Sequence, residues 1–166
     1  MDELLIKAIQ YNTGMPKQSQ HLIKVHSLSK IIGTQEGLDE HSLFILEVAA
    51  ILHDIGIKES LRIYGDSNGK HQEELGPDIA ISILGDDYDE DVIERVCFLI
   101  AHHHTYKNID ALDYQILVEA DFIVNMYEDH ASTKACQNVY DTIFKTKTGK
   151  SLFKMMFLEG DINEDG

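Results

Sequence analysis

Basic residues are scarce in this chain. Lys and Arg number 14 against 29 Asp and Glu, which gives a formal net charge of −15. Such a surface repels duplex nucleic acid and anionic membranes, because both are bound through clustered Lys and Arg. It still admits a small phosphorylated substrate, since a bound metal ion dominates the field around it. Proline occurs twice and tryptophan is absent; with long runs of helix formers, this favours an all-α fold. The two cysteines, Cys97 and Cys136, form no CxxC pattern and read as reduced thiols, with Cys97 in the core. No apolar stretch reaches transmembrane length. The opening Met1-Asp2-Glu3 is acidic, with no cationic segment before an apolar run, so no signal peptide and a cytoplasmic location are expected. At 166 residues the chain suits one domain with room for a real core.

Against this background stands Ile51-Leu52-His53-Asp54-Ile55-Gly56. The apolar run Val48–Leu52 ends in two adjacent ionisable groups. Imidazole and carboxylate are both good ligands for Zn, Mn or Fe. Adjacent helical residues point about 100° apart, so the pair needs partners from other helices.

In chain order, residues 2–11 form a short amphipathic helix that Asn12-Thr13-Gly14-Met15-Pro16 breaks. A longer helix follows over about 17–37. His21, Val25, Leu28 and Ile32 fall at i, i+4, i+7 and i+11, so His21 continues the buried stripe. His26 leans to a more polar side and is the alternative ligand. Asp39 or Ser42 caps the helix that carries His53-Asp54. Residues 57–70 are expected to be the most irregular part, with Lys58, Arg62 and Lys70 around a turn-rich loop. These three are either solvated loop charges or a phosphate-holding rim. A helix is expected to start at Gly76-Pro77. The acidic stretch 85–91 lacks the Gly and Glu spacing of a calcium hand and reads as a connector.

The helix over about 91–104 is apolar and ends in His102-His103-His104. Its stripe carries His103 and His104 inward and leaves His102 off the face; a surface histidine run is the other reading. Asp121 lies within the stripe Ile116, Leu117, Ala120, Val124 of the next helix. A buried aspartate needs a cation or several donors, so it is either a metal ligand or a cap for a neighbouring helix. One or two helices over about 131–158 and an acidic tail, 159–166, complete the chain.

Together, His21, His53-Asp54 after an apolar helix, and Asp121 in an Ala-Asp helix resemble the HD superfamily of metal-dependent phosphohydrolases. The resemblance spans about residues 17–128. It implies a single-domain, all-α HD bundle with a divalent metal held between helices by these four groups. The additional histidines are similar to those of dinuclear members, which implies a second metal held by His71, His103 and His104, with Asp54 bridging. One or two ions drawn from Mn, Fe, Co, Zn, Ni and Mg are expected. The phosphodiesterases with a Gly-Tyr-Pro signature are also similar, but here the lysine is displaced to Lys58, Thr105 stands in place of a Glu, and no Gly-Tyr-Pro follows. The His-Thr end and compact size resemble the small bacterial HD hydrolases, including the diadenosine tetraphosphate hydrolase group.

The resemblance implies hydrolysis of a nucleotide or other small phosphoester by a metal-activated water, with Asp54, Lys58 and His71 in catalytic roles. Lys58, Arg62, Lys70 and Lys107 would neutralise phosphate charge. A homodimer is compatible with this reading. A di-iron oxygenase and a non-catalytic, metal-stabilised regulatory domain are the alternatives, since one fold hosts several chemistries.

Overall fold

A computed structural model describes residues 1–160; residues 161–166 of the expected acidic tail lie outside the described residues. The chain is an all-α bundle. Its helices are α1 (Asp2–Tyr11), α2 (Pro16–Gln35), α3 (Glu40–Leu52), α4 (Ile57–Tyr64), α5 (Gly69–Leu84), α6 (Glu90–Ile100), α7 (Leu112–Glu128), α8 (Thr133–Thr142) and α9 (Lys147–Phe157), with one 3-10 turn at Gly85–Asp87. None of these helices is long and apolar enough to cross a membrane.

The helix α3 forms the middle of the bundle and packs against α1, α2, α6 and α7. From Ile45 to Leu52 every residue is buried; all are apolar but Glu47, whose carboxylate is paired with His26 and Lys30. Asp39 caps it by accepting from the Ser42 backbone N–H at 2.9 Å. The stripe of α2 is buried as expected through Leu22, Val25 and Ile32, with His21 in line. The helix α7 is buried almost continuously from Asp113 to Val124.

Three boundaries differ from expectation. Residues 57–64 are helical rather than irregular, because Ile57, Ser60 and Leu61 share one side and Gly65, at φ 75°, closes the helix as a left-handed C-cap. The next helix begins at Gly69, capped by the Asn68 side chain, and runs through Pro77 instead of starting there. Proline has no N–H, so α5 forgoes one internal hydrogen bond at that turn. Gly56 lets α5 come close: a Cβ there would sit 2.8 Å from the Gln72 carbonyl oxygen. Finally, α6 stops at Ile100, and the histidine triplet lies in the turn that follows.

The C-terminal helices are two, α8 and α9, and one buried carboxylate fastens them. Glu119 of α7 is fully buried and accepts from the backbone N–H groups of Lys145 and Thr146, from Gln115 Nε2 and from Thr146 Oγ1. Four donors satisfy a charge that would otherwise be costly to bury. Gly149 makes room, since a Cβ there would lie 1.9 Å from Glu119 Oε2. Gly149→Ala is therefore expected to destabilise the protein by about 1–3 kcal/mol through overpacking, read as a lower urea midpoint at unchanged slope. A wild-type midpoint would show that this joint does not bear on stability.

Candidate metal centre

Four segments bring buried polar groups to one place: the first turns of α2, the end of α3, the turn after α6, and the middle of α7. His21 is 3 % exposed, His53 and His103 are fully buried, and Asp121 is 3 % exposed. His21, His53 and Asp121 each offer a ligand atom within 4.8 Å of the others, and Asp54, His103 and His104 form a second such group.

The hydrogen bonds set the tautomers. His53 Nδ1 donates to the Ala50 carbonyl at 2.9 Å, and His103 Nδ1 donates to the Ile100 carbonyl at 2.7 Å. A carbonyl only accepts, so both rings carry a proton on Nδ1 and aim Nε2 inward, where the neutral ring presents a lone pair. His21 Nδ1 faces Glu128 Oε2 at 3.2 Å, which gives it the same polarity. The Nε2 atoms of His21 and His53 lie 3.2 Å apart, and His21 Nε2 lies 3.1 Å from Asp121 Oδ1. Asp54 turns one oxygen to each group: Oδ2 is 3.4 Å from His21 Nε2, and Oδ1 is 3.2 Å from His103 Nε2. Lone pairs and carboxylate oxygens at these separations repel one another unless a proton or a metal cation lies among them; in the metal-free protein a proton on His21 Nε2, donated to Asp121, takes that place. The donor set of neutral imidazoles and carboxylates fits a divalent metal.

The protonation equilibria carry the same message. Burial works to lower the His21 pKa, but Asp121, Asp54 and Glu128 overcome it and raise it to about 9. His53 is likewise raised by Asp54 and Asp121 against burial. Burial would raise Asp54 and Asp121, yet the surrounding histidines hold both well below the usual carboxylate range. Burial and the neighbouring His103 push His104 down to about 4.

Groups beyond these two sets orient them. Gln18 Nε2 donates to Asp54 Oδ2 at 3.0 Å and Asn125 Nδ2 to Asp121 Oδ1 at 2.9 Å. Tyr114 Oη donates to the carbonyls of His102 and Thr105, and Glu73 accepts from the His104 backbone N–H, so the histidine turn is held from α7 and α5. Periodicity alone missed Gln18 and Glu128. Both were findable: Gln18 lies one turn before His21, and Glu128 completes the i, i+4, i+7 row Asp121, Asn125, Glu128.

Other expected groups are placed elsewhere. His71 Nδ1 pairs with Asp66 at 2.9 Å, and its ring stacks on Tyr64 with centroids 3.8 Å apart, so it joins neither set. His26 pairs with Glu47 at 2.9 Å, away from Asp54. His102 donates to the Phe98 carbonyl and stacks on that ring. Lys58 donates to the Tyr11 carbonyl, Arg62 pairs with Glu59, and Lys70 and Lys107 are exposed. Over the centre lies a cavity of about 520 Å³, walled by Ile57, Leu61, Phe122 and Met126, with Gln18 and Asn125 among its polar groups and Lys17 as its lysine.

The chain is thus an all-α bundle closed around a buried histidine and aspartate cluster able to hold a metal. Within it, the model of the HD domain matches residues 19–145, and the chain belongs to the HD-domain family. HD domains bind divalent metals and are in general hydrolases. No curated protein and no solved structure gave a match.

Metal entry must displace the His21 proton. Apparent metal affinity is therefore expected to keep rising between pH 7 and about 9, by up to about tenfold per unit for the one proton released, whereas an ordinary imidazole levels off above about 6.5. Without metal the sign reverses. The raised His21 pKa stabilises the fold below about 6.5, and that stabilisation is lost as pH rises through about 9. Metal titrations at pH 7, 8 and 9 read the first effect; a flat affinity across that range would refute it.

Proposed function

We propose that this protein is a metal-dependent phosphohydrolase acting on a small phosphoester, a nucleotide or similar molecule, in the cavity above the histidine and aspartate cluster. The observation that carries this reading is the inward convergence of the potential ligand atoms of His21, His53 and Asp121, with Asp54 presenting one oxygen to each group. His21, His53, Asp54 and Asp121 would hold a first ion; Asp54, His103 and His104 would hold a second. A divalent ion there activates water for attack and withdraws charge from the phosphoryl group.

The protein's own groups do the rest. Ala50 and Ile100 carbonyls keep two imidazole lone pairs aimed inward. Gln18 and Asn125, on the cavity wall, are amide donors suited to phosphoryl oxygens. Ile57, Leu61, Phe122 and Met126 supply an apolar wall that excludes bulk water from the reacting face and takes the organic part of the substrate. Lys17 replaces Lys58, Arg62, Lys70 and Lys107 as the cation nearest the phosphate, and His71 has no part in this arrangement.

His53→Ala and Asp54→Ala are each expected to abolish metal loading and hydrolysis together. Elemental analysis reads the first, and a phosphoester and nucleotide screen with Mn²⁺, Co²⁺, Fe²⁺ and Mg²⁺ reads the second. Full hydrolysis by either metal-free variant would sink the mechanism. Metal-dependent stabilisation with no turnover across the panel would favour a regulatory domain instead.

A further inference from the structure

The two metal-type groups are built unequally. Around His21, His53 and Asp121 every ligand atom is already turned inward. His21 is aimed by Glu128, whose Oε2 lies 3.2 Å from His21 Nδ1 while Oε1 accepts from Lys24 Nζ at 2.7 Å. Glu128 thus has both oxygens occupied and cannot rotate away without breaking an ion pair. Asp121 is held by Asn125.

The second group lacks this preparation. His104 is half-buried, and its Nε2 lies 3.1 Å from Gln72 Oε1. Gln72 Nε2 donates to the Ser67 carbonyl at 2.7 Å, so the amide orientation is fixed and its oxygen is what faces His104. An amide oxygen only accepts, hence His104 Nε2 carries a proton and offers no lone pair there. Binding through Nε2 requires His104 to leave Gln72 and shift its proton. The carboxylates also divide unevenly: Asp121 and Glu128 stand at the first group, and the shared Asp54 is the carboxylate among the ligand atoms of the second.

We propose that the centre is asymmetric: a tight, preorganised first metal position whose affinity is set by Glu128 and Lys24 acting through His21, and a second, exchangeable position gated by the release of His104 from Gln72. Glu128 is a positioning residue, since it acts on the ion only through the imidazole. The inference rests on the metal reading of the site.

The test is a titration of metal-free protein with Co²⁺ or Mn²⁺, followed by calorimetry or by the metal's own spectrum. Wild type is expected to bind in two phases separated by at least about tenfold in affinity. Glu128→Ala is expected to weaken the tight phase by about 10–100-fold, the usual cost of losing an outer partner of a metal-bound histidine, and to leave the weak phase in place. Glu128→Gln keeps an acceptor for Nδ1–H and is expected to recover much of that loss. His104→Ala is expected to remove the weak phase alone. Nitrogen NMR of the metal-free protein reads the tautomers independently of metal, with the proton on Nδ1 in His21 once the ring is neutral, above about pH 9, and on Nε2 in His104. Two equal phases, a tight phase unmoved by Glu128→Ala in a folded variant, or the opposite tautomers would overturn the asymmetry while leaving the hydrolase reading intact. No binding by wild type would overturn the metal reading itself.

Discussion

Two imidazole Nε2 atoms, of His21 and His53, brought to 3.2 Å of each other in a buried site are the constraint around which this molecule is arranged. Left alone, such a contact separates. Here it is imposed by hydrogen bonds on the far side of each ring, from Glu128 behind His21 and the Ala50 carbonyl behind His53, and the second of these devices recurs at His103. His53 bonds the carbonyl of Ala50 and His103 that of Ile100, in each case three residues back and at the C-terminal end of a helix. Carbonyls in a helix's last turn have no partner inside the helix. The fold uses two of these acceptors to fix imidazole tautomers. The same placement aims the negative ends of the α3 and α6 dipoles at the cluster, which favours a cation there. Burial of α3 on all sides makes this geometry rigid, because its last turn cannot move without displacing α2, α6 and α7.

The helices that face α3 are specialised in turn. From α2 come Gln18 and His21, and from α7 come Asp121, Asn125 and Glu128, so two helices that pack directly on each other supply two of the three residues of the first group and the groups that orient them, while α3 supplies His53 and its Ala50 acceptor. The second group depends instead on a turn held by Tyr114 and Glu73 and on a histidine engaged with Gln72. Preorganisation therefore falls off from the core toward the cavity, as expected if the outer position is the one that exchanges with solvent.

Much of this was legible in the sequence, and the reason differs by residue. His21 and Asp121 lie on helical stripes, and a stripe tells which way a side chain points. The apolar run before His53 announced the central helix. The orientation of His103 came through although α6 stops three residues earlier, because a buried helix end leads a following turn inward too. What failed was whatever depends on a loop's path or a long side chain's choice. His71 opens α5 at a boundary set by Asn68 capping, and its ring goes to Asp66 and Tyr64. Lys58 has a four-carbon stem and finds the Tyr11 carbonyl. Neither outcome leaves a periodic trace. Glu128 did leave one, two turns beyond Asp121, but a glutamate at a helix end reads as ordinary solvated charge until its partner on another helix is known.

The distribution of charge narrows the chemistry further. A protein with net charge −15 that handles phosphate must concentrate positive charge where the phosphate sits. Lysines and arginines do little of this here: of the described side chains walling the cavity, Lys17 is the one Lys or Arg, joined by the protonated His21, against Asp54, Glu128 and Asp129. Without ions the cavity offers a phosphoester more carboxylates than cations. With ions, Asp54 and Asp121 cease to be a barrier and become the reason the cations stay. In the proposed reaction, ions held by His21, His53, Asp54, Asp121, His103 and His104 would supply the positive charge that the side chains of this cavity do not, and Gln18 and Asn125 would orient the phosphoryl oxygens beside them.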